Sequence, residues 1–88
     1  MKNVAVHPRV KTRHPEISNE DVLNAWENAI AFARRDGAAD DLYVAAGFDN
    51  SGRLLEVVAA KGKGEDWLIF HAMKATQKTL SELGLIRR

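Results

Sequence analysis

At 88 residues the chain suits one domain, and a chain of this size buries only about 60% of the surface it exposes when unfolded. It holds no cysteine, which excludes disulfides, thiolate metal sites and cysteine nucleophiles together. No apolar run approaches the roughly 18 residues of a membrane span and residues 1–10 lack the long apolar segment of a secretory signal, so the expectation is a cytoplasmic protein. The net charge of +1 hides three blocks: residues 1–14 carry +4, residues 15–52 carry −6 and residues 53–88 carry +3. If folding joins the two basic ends, one face attracts phosphates while the other stays acidic; ordinary solvated charge is the competing reading.

Residues 1–14 are ambiguous. Val4 to Val6 suits an edge strand or arm, and Pro8 and Pro15 limit its length. Ser18 then reads as a helix N-cap, with Asp21 three residues on completing a capping box. Val22, Trp26, Ala29, Ile30 and Ala33 follow at helical spacing, predicting one helix over 19–35 with Trp26 and Ile30 against a sheet. Arg34 and Arg35 suit its C-terminal dipole, and Gly37 its closing turn. After a polar loop, 42–48 and 53–60 read as strands joined by Asp49-Asn50-Ser51-Gly52, a tight hairpin turn. A looser Lys-Gly turn over 61–66 leads to a third strand, 67–71. A final helix starts near Ala72, carries Met73, Thr76, Leu80 and Leu83 on one face, and closes at Gly84, leaving 85–88 as a tail. The expectation is one α+β domain over 1–88: a small antiparallel sheet of three to four strands, with a helix before it, a short helix after it, and the helices on one face. Alternation puts Arg53, Leu55, Val57 and Ala59 on one side of the second strand and Leu54, Glu56, Val58 and Ala60 on the other.

His71, at the end of a strand, is the most suggestive single residue, because imidazole titrates near neutral pH and serves as a general acid or base. A half-buried histidine bonded to backbone is the bland alternative. His14, beside Arg13, faces a phosphate or simply precedes a helix. Arg53 suits bidentate phosphate binding or an exposed turn. Lys74 and Lys78, one helical turn apart, join Lys11, Arg13, Lys61 and Lys63 as a candidate RNA track, or as solubilising charge. Three scattered histidines give no zinc pattern, and the glycines match neither a P-loop nor a dinucleotide fingerprint, so no metal or cofactor is expected.

Several of these segments resemble the BrnT-type toxins, small relatives of the RelE/ParE ribonuclease superfamily. The likeness rests on Arg13-His14 before a helix, on a strand ending in Gly47, on Gly52-Arg53-Leu54-Leu55, and on His71-Ala72-Met73-Lys74-Ala75-Thr76 where a strand meets a helix. It covers about Lys11 to Leu83. The resemblance implies the toxin half of a type II toxin–antitoxin pair, a metal-independent ribonuclease neutralised by a ribbon-helix-helix antitoxin. His71, Arg53, His14 and Lys74 would then be catalytic, with a homodimer left open. The chain departs from the pattern at Leu68, Met73 and Thr76, where relatives often carry basic residues. A catalytically degenerate binding module, acting through protein–protein contacts alone, is the alternative.

Overall fold

The computed structural model describes residues 3–35, 41–64 and 66–86. In chain order the elements are β1 (Asn3–Val6), α1 (Pro8–Arg13), α2 (Asn19–Glu27), β2 (Ala29–Arg34), β3 (Leu42–Phe48), β4 (Leu54–Lys61), β5 (Asp66–Lys74) and α3 (Gln77–Glu82). The strands form one α+β sheet in the order β1-β5-β4-β3-β2. Among the described residues only β1 against β5 is parallel, so the sheet is mixed and five-stranded rather than an antiparallel set of three or four.

The N-terminal segment resolves into an edge strand and a helix. Pro8 ends β1 and opens α1, where its missing N–H costs nothing, and His7 caps that helix by accepting the Arg9 N–H on Nδ1 at 3.0 Å. The capping box at α2 forms as read: Ser18 Oγ accepts from the Asp21 N–H, and Asp21 accepts from the Ser18 N–H.

The helix over 19–35 is corrected. It stops at Glu27, and Asn28 closes it by donating its side-chain amide to the Asn24 carbonyl. Ala29-Ile-Ala-Phe-Ala-Arg34 satisfies both periods, since alternate residues also sort into two sets. Pairing along β3 supplies every residue of that run except Ile30 with a ladder partner, and this tertiary gain overrides the helical stripe. Trp26 stays on the helix, with its ring 5.5 Å from Phe32 and 5.2 Å from Trp67. Ile30 falls in a bulge and is 54% exposed, not packed on the sheet. Gly37, read as the closing residue, lies outside the described residues.

β5 also runs further than read, through Lys74, because β4 offers partners out to Leu55↔Lys74. The last helix therefore begins at Gln77, not near Ala72, with Thr76 as its N-cap and Gly84 at φ 74° closing it. Register sorts the side chains. Leu55, Val57 and Ala59 share a face with Ala72 and Ile69, and against it α1, α2 and the turn between them pack Val10, Val22, Ala25 and Ile17. The opposite face carries Val44, Ala46, Glu56, Val58 and His71, and α3 binds there through Glu56. The helices thus occupy both faces rather than one.

Candidate functional site

β1 ends at Val6 beside Ile69, so among the described residues no strand pairs with the outer side of the rest of β5. There α1 passes on one side of the sheet and α3 on the other, and a cavity of about 600 Å³ opens between them. Its wall includes Arg9, Arg13, His14, Glu56, His71 and Lys78. Among the described residues, Arg9, Arg13 and Lys78 form no side-chain ion pair; the carboxylates of the same wall, Glu56 and Glu82, are engaged by His71 and Thr76 and by Arg35. Such a cluster of cations concentrates anions.

At its base Glu56 is almost fully buried, a lone charge in the apolar run of β4. Both carboxylate oxygens are engaged. Oε1 accepts the Thr76 N–H at 2.8 Å and the Thr76 hydroxyl at 2.7 Å, and Oε2 meets His71 Nε2 at 2.8 Å. Burial alone would raise the Glu56 carboxyl. The Thr76 hydroxyl and N–H, with His71 and Thr79 behind them, outweigh that and hold it below its ordinary value. An ionised carboxylate only accepts, so Nε2 of His71 carries the hydrogen. In the neutral ring Nδ1 is then left as the free acceptor, the atom able to take a proton. Across the cavity mouth, His14 caps α1 and sets Nδ1 3.4 Å from Glu16 Oε2.

The acid limb of stability follows from these carboxylates. Burial would also raise Asp49, but the Arg53 backbone and side chain and the Ser51 N–H lower it below its usual range. A depressed folded-state value means stability fully present above the unfolded-state value and lost as pH falls through the folded-state one. Urea midpoints should therefore stay level from neutral pH to about pH 4.5 and drop below that. Glu56→Gln should flatten part of that drop. A variant profile superimposable on the parent's would refute the assignment to Glu56.

The sequence-derived site residues divide. His71, His14, Arg13 and Lys78 line the one cavity. Lys74 does not join His71, a correction that follows from β5 running on: residues three apart share a helix face but take opposite faces of a strand. Arg53 is also elsewhere. Its Nε contacts Asp49 at 2.7 Å, Nη2 contacts Asp21 at 3.1 Å and Nη1 donates to the Glu16 carbonyl, so its guanidinium ties the β3–β4 turn to α2. Lys61 and Lys63 sit exposed at the β4–β5 turn, Lys61 level with Trp67 and four residues from His71 along β5. Lys11 is exposed on α1. The residues that sequence reasoning missed are Arg9 and Glu56. Glu56 had a signal, as the only charge within Leu54-Leu-Glu-Val-Val-Ala-Ala60; Arg9 had none.

The molecule is thus a small α+β domain with a basic, histidine-bearing cavity at a sheet edge. Comparison with protein-family models, with curated proteins and with solved structures finds no match. Among the described residues no helix is long and apolar enough to cross a membrane.

Proposed function

We propose that this protein is the toxin component of a type II toxin–antitoxin pair, a ribonuclease that needs no metal and is neutralised by a ribbon-helix-helix antitoxin. The observation that carries the reading is the opening of two histidines, His14 and His71, onto one cavity with Arg9, Arg13 and Lys78. RNA supplies its own nucleophile. His71 Nδ1 takes the proton of a 2′-hydroxyl, the 2′-oxygen bonds to the adjacent phosphorus, and the 5′-oxygen leaves with a proton from the protonated His14 ring. The products are a 2′,3′-cyclic phosphate and a free 5′-hydroxyl. The arginines and Lys78 offset the charge that builds on the phosphoryl oxygens. The resemblance of Arg13-His14 and of the segment from His71 to Thr76 to the BrnT-type toxins supports the same reading.

One observation favours the binding-module alternative: Arg53, the phosphate ligand implied by that resemblance, is committed to Asp49 and Asp21. Induced expression separates the two. A toxin arrests growth and leaves RNA fragments with 2′,3′-cyclic phosphate ends, the purified protein does the same in chelator, and co-expressed antitoxin restores growth. Intact RNA and unaltered growth would select the binding module.

A further inference from the structure

The pairing of β4 with β5 slips by one residue beside the cavity. Val58 pairs with His71 and Ala59 with Ile69, which leaves Phe70 as an extra residue in β5. Phe70 and His71 together oppose Val58, and the core residues Ile69 and Ala72 flank them on the other face. Adjacent side chains of a regular strand point to opposite faces; the bulge sets these two on the same one. Both line the cavity, where Leu42 and Val58 extend the apolar surface. Phe70 is half-buried yet stands outside the core cluster. Among the described residues its ring pairs with no other aromatic ring, unlike those of Trp26, Phe32, Tyr43 and Trp67.

A flat apolar ring thus shares one wall with a histidine and with the cations Arg9, Arg13 and Lys78. A ligand that matches this wall has a planar apolar part and an anionic part, as a nucleotide has. We infer that Phe70 is the platform on which an unpaired RNA base stacks, with the phosphate of that nucleotide held among Arg9, Arg13 and Lys78. The inference rests on the ribonuclease reading and narrows its substrate to single-stranded RNA. A base inside a duplex is already stacked on its neighbours and cannot reach the ring. Stacking needs a π-face and no particular hydrogen-bond pattern, so the platform accepts every base.

Calorimetric titration of the full chain with inorganic phosphate and with adenosine 3′-monophosphate separates the two parts of the site. The nucleotide should bind roughly tenfold tighter than phosphate, the excess being the stacked base. Phe70→Leu keeps an apolar side chain but removes the π-face. It should bring the nucleotide down to the affinity of phosphate, whose own binding stays unchanged and reports an intact fold. Phe70→Trp should retain the excess. In cleavage assays the parent should prefer a single-stranded RNA to the same sequence in a duplex, and Phe70→Leu should lower kcat/KM on the single strand by a similar factor. Equal binding of nucleotide and phosphate by the parent would overturn the inference, as would Phe70→Leu weakening both alike or neither. Either result beside normal cleavage leaves the ribonuclease reading standing. The expected binding pattern in a protein that cleaves no RNA would uphold the platform and overturn that reading.

Discussion

Gly47→Ala is expected to be the most destabilising single methyl that can be added to this fold. Gly47 lies on β3 where α2 crosses it. A Cβ there would overlap the Ala25 carbonyl oxygen and stand 2.9 Å from its carbonyl carbon and 3.1 Å from the Ala29 Cα. All three are backbone atoms, and none can swing aside as a side-chain tip would. Relief requires α2 to lift off the sheet, loosening Val22 and Ala25 from Leu55 and Val57. Overpacking costs about 1–3 kcal/mol when side chains can adjust and more when they cannot, so about 3 kcal/mol or more is expected. For a domain of this size that is a large share of a total near 5–10 kcal/mol. Urea denaturation measures it directly. Gly52→Ala is the control: its Cβ would meet nothing, and its φ of 81° confines the cost to backbone strain of about 1 kcal/mol. Equal midpoints for the two variants would show that α2 does not approach β3 this closely.

His71→Ala should have the largest effect on activity. If the imidazole carries the 2′-hydroxyl proton, its loss lowers the cleavage rate by about 10²–10⁴. Folding should survive, because His71 is partly exposed and Glu56 keeps both hydrogen bonds from Thr76. Lys74→Ala, on the same strand but the other face, should leave the rate unchanged. Arg53→Ala should lower stability by stranding the Asp49 carboxylate, yet leave the rate per folded molecule intact. Full-rate cleavage by folded His71→Ala would remove His71 from the mechanism. A rate lost in Arg53→Ala without loss of stability would return that arginine to the site.

Local chemistry was legible wherever one segment decides its own shape. The capping box of Ser18 and Asp21 and the turn from Asp49 to Gly52 depend on side chains a few residues apart, and both stand as read. Errors arose where a distant strand decides. Residues 29–34 carry a stripe that suits a helix, and only the length of β3 turns it into an edge strand. Residues 72–74 likewise follow β4, and that extension separates His71 from Lys74. The cavity was legible in half. Histidines and basic residues show their chemistry in any context, so His14, His71, Arg13 and Lys78 were found. Whether a cation is free to act depends on its neighbours. Arg53 was bound by acids 4 and 32 residues away in the chain, a pairing that spacing does not reveal.

The parallel pairing of β1 with β5 also fixes an order of events during synthesis. Asn3 and Asp66 are 63 residues apart and bond through their side chains at 2.9 Å. A ribosome adding about 5–20 residues per second makes the first strand seconds before its partner exists. Closing so long a loop early carries entropy that no contact yet repays. The cavity wall is divided the same way in time, with Arg9, Arg13 and His14 emerging first and His71 and Lys78 last. A nascent chain therefore holds the arginines and one histidine but no cavity, which assembles only after the final strand has left the ribosome.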